Sequence, residues 1–225
     1  MTLNLSQSIE DYLKAIYEIA DKDTRATTNQ LAEYLKVTPA SVTGMIKKLA
    51  ITDPPLVEYQ KHQGVMLTED GEKIALETIR HHRLLELFLH QILEYPWDEV
   101  DKEAHRLEHV ISEKFEERIA KALGDPEYDP HGDPIPNKDL TLPASAATSL
   151  NELRPGQKAT IRRVRDTDSN LLRHLSRLGV IPNAQVEIKD YSEFDGNIHI
   201  LVEGKSEIAV LGPRITEQIF VEIRY

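Results

Sequence analysis

The five residues His105-Arg-Leu-Glu-His109 carry the densest chemistry in the chain. On a helix, His105, Glu108 and His109 stand at i, i+3 and i+4 and share one face. Three ligand-type side chains crowded on one face are costly unless a cation binds them. His82 and Glu86 repeat the pattern at i and i+4 on a preceding helix, and Asp101 stands one turn before His105. Nitrogen and oxygen ligands without sulfur suit Mn(II), Fe(II), Co(II) or Zn(II), and the carboxylates shift the set towards harder ions. A second chemistry fits the same five residues. His-x-x-Glu-His is also the inverted zinc-peptidase motif, in which two His bind zinc and the Glu is the base. That enzyme needs a third ligand downstream and a large substrate cleft, whereas here the helical pattern ends near Leu123 and short strands follow. A zinc metallopeptidase using residues 105–109 is therefore the alternative reading, and enzymatic activity is not expected.

The remaining motifs are weaker. Gly204-Lys-Ser206 lacks the glycine five residues earlier that a phosphate loop requires, since His199 stands there, and reads as a strand turn. His131, His174 and His199 are isolated in the sequence and are expected at the surface.

Three regions position these residues. Residues 1–72 hold several short helical patterns and end in a hairpin-like stretch. Residues 73–123 read as two long amphipathic helices. A segment with four prolines and two glycines in thirteen residues, Gly124–Pro136, cannot continue a helix, and small residues at Pro143–Ser149 form a linker. From about residue 150 the period changes. Runs at 159–164, 185–189, 197–203, 207–211 and 218–223 alternate or run apolar as strands do, with one helical stretch at Ser169–Leu178. Five short strands in this span predict a small closed barrel of SH3-like type.

Region one predicts a winged helix. Ile9, Leu13, Ile16, Tyr17 and Ala20 fall at helical spacing. Thr28 can cap a second helix with Leu31, Ala32 and Leu35 inside. Thr38 caps a third, with Pro39 at its first position, where a missing N–H costs nothing. Val42, Met45, Ile46 and Leu49 face inward, leaving Ala40, Ser41, Thr43, Gly44, Lys47 and Lys48 outside. Small and hydroxylic residues at the N-terminal end suit base edges, and the lysines one to two turns later suit phosphates. Leu56–Tyr59 and Val65–Thr68 then flank a wing with Lys61 and His62 at its tip. The DNA-contacting set is expected to be Thr38, Ala40, Ser41, Thr43, Lys47, Lys48 and Lys61.

Composition bounds these readings. Forty per cent of the residues are apolar, enough for globular cores. The chain has no cysteine, which removes disulfides, Cys-based zinc fingers, iron–sulfur clusters and a Cys nucleophile together. The net charge is −11, and residues 1–72 carry seven Lys/Arg against eleven Asp/Glu, so DNA binding has to rest on local placement. Such a charge favours weak DNA affinity in a metal-free form. The N-terminus lacks a basic start and an apolar core, and the most apolar run, Leu84–Leu93, is too short to span a bilayer. A cytoplasmic protein without membrane partners is expected.

Several segments together resemble the diphtheria-toxin-repressor family of iron- and manganese-dependent regulators in its three-domain form. They are Ile9–Glu18, the helix–turn–helix, His82–Glu86, Glu103–Val110 and Asp125 through Gly132-Asp-Pro-Ile-Pro136. The resemblance is close over about 1–140 and looser over 150–225. It implies an α+β chain: a winged helix-turn-helix DNA-binding domain (1–72), a helical metal-binding and dimerisation domain (73–140), a linker (141–149) and an SH3-like, iron-transport-A-like domain (150–225). It implies a primary metal site of Asp11, His105, Glu108 and His109 and an ancillary site of His82, Glu86 and Asp101, with Asp166, Asp168 and Asn170 as candidates from the last domain. Iron-sensing members carry Met and Cys at the first two primary positions and manganese-sensing members carry carboxylates, so Asp11 favours Mn(II). His105 fits neither pattern and leaves Fe(II) open, and Zn(II) or Co(II) can substitute. Lys14 stands where some manganese members use a Glu for a second ion, and Gly44 where some relatives have a base-contacting Gln.

The function so implied is a metal-dependent transcriptional repressor of metal-ion homeostasis, a homodimer on an inverted-repeat operator. Asp11 and Glu108 repel each other without metal, and a divalent ion then fixes the winged helix. Leu84, Leu85, Leu87, Phe88 and Ile92 form the expected dimer interface. Because His105 and His109 bind metal as neutral imidazoles, activation is expected to weaken below about pH 6.

Overall fold

The computed structural model describes residues 6–20, 24–146, 148–165 and 168–224. It divides into two compact units: Met1–His81 with Glu108–Ile111 and Pro136–Thr141, and His82–Leu107 with Ser112–Ile135 and Leu142–Tyr225.

The first unit opens with α1 (Gln7–Ile19), α2 (Thr28–Tyr34) and α3 (Pro39–Leu49). Their apolar positions converge on one core: Ile9, Tyr12, Leu13, Ala15 and Ile16 from α1, Leu31 and Ala32 from α2, and Val42, Ile46 and Leu49 from α3. Thr27, not Thr28, caps α2. Its hydroxyl accepts from Gln30 N–H while the Gln30 side chain accepts from Thr27 N–H, a reciprocal arrangement that Thr28 cannot make from inside the helix. Thr38 caps α3 through Ser41 N–H, with Pro39 at the first position as expected. The wing is β1 (Val57–Gln60) paired antiparallel with β2 (Gly64–Leu67). Ala26 bridges to Val65 on the outer side of β2, and this close approach demands glycine next door. Gly64 has φ +111°, and a Cβ there would meet Ala26 O at 2.5 Å.

The middle of the chain forms three helices rather than two: α4 (Glu69–Gln91), α5 (Val100–Leu107) and α6 (Glu113–Ala122). Pro96 and the left-handed Glu94 (φ 57°) separate α4 from α5. Ser112 caps α6 by accepting from Phe115 N–H, so the chain has to leave α5 before it. Glu108 and His109 therefore lie in a turn, not on a continuous helix with His105. The expected dimer face is also revised. Leu84, Leu85 and Leu87 are buried within the single chain and cannot meet a partner, while Ile92 and Leu93 are half exposed.

The second unit ends in β3 (Thr148–Ser149), β4 (Lys158–Val164), α7 (Ser169–Leu178), β5 (Gln185–Tyr191), β6 (Ile198–Val202), β7 (Ile208–Leu211), α8 (Pro213–Thr216) and β8 (Ile219–Arg224). The strands form one antiparallel sheet in the order β3-β8-β4-β5-β6-β7. Register shifts at Ile161/Arg163 and Ile188/Asp190 bend it around a core that includes Ile161, Leu175, Ile188, Ile200 and Val221. This is the expected SH3-like architecture. Its edge strands β3 and β7 are not hydrogen-bonded to each other among the described residues, so the ladder is open, not closed. No helix among the described residues is long and apolar enough to cross a membrane.

Candidate metal centres and nucleic-acid interface

In the first unit, Asp11 on α1 meets the turn that follows α5. Ligand-type atoms of Asp11, Glu108 and His109 lie within 4.8 Å of one another. His109 Nε2 stands 3.0 Å from Asp11 Oδ1 and 3.2 Å from Glu108 Oε1. Its other nitrogen, Nδ1, is 2.5 Å from Glu10 Oε2. A carboxylate on the far nitrogen of an imidazole fixes the ring and turns the near nitrogen towards a cation. Glu10 holds that position here, and sequence reasoning missed it. The only signal was its adjacency to Asp11, since its partner lies 99 residues away.

Repulsion among these acids is already offset without metal. Lys14 Nζ lies 3.0 Å from Glu108 Oε2, whose side chain is fully buried. The His109 imidazole carries a second positive charge. Burial pulls its pKa down, but hydrogen bonds to Asp11, Glu10 and Glu108 outweigh that and raise it from 6.5 to about 11. The sequence-derived picture of Asp11 and Glu108 simply repelling each other is therefore incomplete. Three carboxylates face two cations, and one negative charge is left over, which suits a divalent ion that displaces the imidazole proton. His105 is an exposed residue in the last turn of α5, three positions before Glu108, and belongs to the second unit.

The second unit holds two further clusters that share Glu86. His82 Nε2 lies 3.5 Å from Glu86 Oε1 and 3.6 Å from Asp101 Oδ1, so the expected ancillary residues are together, with Asp101 towards solvent. On the other side, Glu86, Asp129 and His131 bring ligand atoms within 4.8 Å, all three buried. His131 is thus not a surface residue. Its ring stacks on Trp97 with centroids 5.5 Å apart, and its Nε2 is 2.8 Å from Trp97 O. A carbonyl only accepts, so Nε2 carries a proton, and Nδ1 faces Glu86 Oε1 at 3.8 Å. Asp129 is held by N–H groups of His131 and Asp133. Burial, and then the Glu86 and Asp133 carboxylates beside it, push its pKa well above the usual carboxylate range. Gly132 allows this loop to dock. Its φ is +88°, a Cβ would strike Arg162 O at 1.8 Å, and Val164 N–H donates to His131 O.

Of the candidates in the last domain, Asp166 lies outside the described residues. Asp168 caps α7 by accepting from Asn170 N–H, and Asn170 accepts from Arg173, so both have helix-end roles. On α3, Thr38, Ala40, Ser41, Lys47 and Lys48 are exposed, as is Lys61 at the wing tip. Thr43 is half-buried and its hydroxyl donates to Pro39 O.

This arrangement matches known proteins along nearly the whole chain. The family model "Iron dependent repressor, N-terminal DNA binding domain" matches residues 4–65, "Iron dependent repressor, metal binding and dimerisation domain" matches 68–137, and the FeoA domain matches 148–223. The iron-dependent repressor IdeR of Mycobacterium leprae is 31% identical over 220 residues, 92% of this chain and 94% of that protein. The chain belongs to the iron-dependent repressor family. The diphtheria toxin repressor of Corynebacterium diphtheriae is 28% identical over 90% of this chain and 92% of that protein. A solved structure titled "Manganese-dependent transcriptional repressor complex with manganese" superposes with TM-score 0.87 at 35% identity, covering 96% of this chain and 100% of that one. As a member of that family, the protein is a metal-dependent transcriptional repressor that binds DNA, not an enzyme. The peptidase reading of residues 105–109 falls with that assignment.

Proposed function

We propose that this repressor controls metal-ion homeostasis in response to Mn(II), with Fe(II) as the second candidate effector, and that the ion is held by Asp11, Glu108 and His109 with His105 from the preceding turn. The observation that carries this reading is the pairing of Asp11, on the first helix of the winged-helix unit, with two ligand-type residues from the distant turn after α5. A nitrogen-and-oxygen donor set without sulfur admits Mn(II), and its carboxylates shift it towards the harder ions. The manganese complex noted above, at 35% identity, supports the same choice. A bound divalent ion supplies the positive charge that the His109 proton gives up. Asp11 then anchors α1, Glu10 keeps the His109 ring oriented, and the winged helix is held in one position.

Glu86, His131 and Asp129 are proposed as a second site, with His82 and Asp101 on the other side of Glu86. The chain is read as domains 1–72, 73–140 and 150–225 joined by a linker at 141–149. Two copies pair through apolar residues left exposed by the middle helices, Ile92, Leu93 and Phe115. The two α3 helices then meet half-sites of an inverted-repeat operator in the cytoplasm, with Thr38, Ala40, Ser41 and Thr43 near bases and Lys47, Lys48 and Lys61 on phosphates.

The test is DNA binding by chelator-treated protein to its own promoter region, with Mn(II), Fe(II), Zn(II) or no metal at fixed salt. Tight, sequence-selective binding that appears with Mn(II) is expected. Binding indifferent to metal overturns the switch. In the same assay, Lys47→Ala is expected to weaken binding to all sequences alike and to reduce the salt slope by about one. A loss confined to one operator sequence would instead make Lys47 a base-reading residue.

A further inference from the structure

Lys14 enters the reading above only as a charge, yet its geometry gives it a larger part. Its side chain is only 12% exposed, and its ammonium lies 3.0 Å from the buried carboxylate of Glu108, 94 residues away. A charge-assisted hydrogen bond at that distance is among the strong ones. It joins α1 to the turn after α5, the same two segments that Asp11, Glu108 and His109 bring together.

We propose that Lys14 is a resident competitor of the effector ion: it grips Glu108 and ties α1 down in the metal-free protein, and it lowers the affinity of the site for a divalent cation. The inference rests on the reading of Asp11, Glu108 and His109 as metal ligands. An arriving ion either takes Glu108 from the ammonium or binds beside a fixed positive charge. Both routes weaken binding. One residue thus has two effects of opposite sign, more order without metal and less affinity for metal. A purely structural lysine would produce the first and not the second.

Lys14→Met keeps most of the aliphatic stem and removes the charge. Mn(II) binding to the full chain is read by calorimetry, and unfolding of the chelator-treated protein by its thermal midpoint. Lys14→Met is expected to bind Mn(II) about tenfold more tightly, the scale of one hydrogen bond to a charged group. Its metal-free midpoint falls. Unchanged or weaker Mn(II) binding overturns the inference. If Lys14→Met does not fold, Lys14→Arg decides, because a guanidinium fork grips the carboxylate at two points. Weaker Mn(II) binding is then expected, and unchanged or tighter binding overturns the inference. Glu108→Gln separates the two levels. Wild-type Mn(II) affinity in Glu108→Gln removes the ligand assignment and the role of Lys14 with it. Lost affinity there, beside an unchanged Lys14→Met, removes the role of Lys14 alone.

Discussion

Asp11→Ala is expected to abolish metal-dependent DNA binding while leaving the dimer intact. Asp11 is not one of the apolar core residues of α1, which include Ile9 and Leu13, and its side chain is 22% exposed. What its loss removes is the carboxylate 3.0 Å from His109 Nε2, the contribution of α1 to the proposed site. Losing an outer partner of a metal ligand typically costs about 10–100-fold in affinity, and losing a ligand costs more. Glu10→Gln, which acts on the far nitrogen of His109, is therefore expected to fall in that 10–100-fold range and Asp11→Ala beyond it. Anisotropy of a labelled operator under Mn(II) titration reads both variants, and light scattering checks the dimer. Operator binding by Asp11→Ala at the wild-type Mn(II) concentration would remove Asp11 from the site. A Glu10→Gln defect as deep as that of Asp11→Ala would make Glu10 a ligand in its own right.

What could be read from the sequence was local. The three helices of the winged unit, the Thr38 cap with Pro39 and the wing strands all follow from periods and caps within a few residues of each other. The helix Ser169–Leu178 was legible for the same reason, since an apolar stripe ends at Gly179 in the left-handed conformation. Glu108 and His109 stood out from the spacing of residues 105–109, whereas Asp11 joined them only through the family resemblance. The contacts of Glu10, Lys14 and His131 were not legible, because tertiary packing sets their partners and no local pattern encodes contacts made 99, 94 and 34 residues away. His131 also sits among prolines and glycines, which hide a buried loop behind the composition of an exposed one. Leu84, Leu85 and Leu87 show a different limit. A wide apolar stripe says that a helix is covered, but not whether the cover is the same chain or a second copy. The missed break before Glu108 had a signal, the cap at Ser112, but a helical spacing of ligand residues ran straight across it.

Metal affinity is expected to rise by about tenfold for each pH unit through the neutral range, as a change of about a hundredfold between roughly pH 6.5 and 8.5. In the metal-free protein the carboxylates around His109 raise its pKa from 6.5 to about 11 against the pull of burial. His109 is therefore protonated throughout the neutral range, and one proton has to leave before Nε2 can act as a ligand. An imidazole with the ordinary pKa of about 6.5 would give affinity that levels off above about pH 7, and activation that fades only below about pH 6. The acidic cage moves that window upward. The stability of the metal-free protein runs the other way. A His raised above its unfolded value stabilises the fold fully below about pH 6.5, and that contribution is lost as pH climbs towards about 11. The metal-free thermal midpoint should thus fall across the interval in which Mn(II) binding tightens. Calorimetry in two buffers of different ionisation enthalpy counts the protons directly, and close to one released per ion at about pH 7.5 is expected. No proton release together with a flat affinity would mean that His109 is already neutral before metal arrives. The carboxylates of Glu10, Asp11 and Glu108 would then be balanced by Lys14 alone, and the site would draw its ion by charge rather than by exchange for a proton.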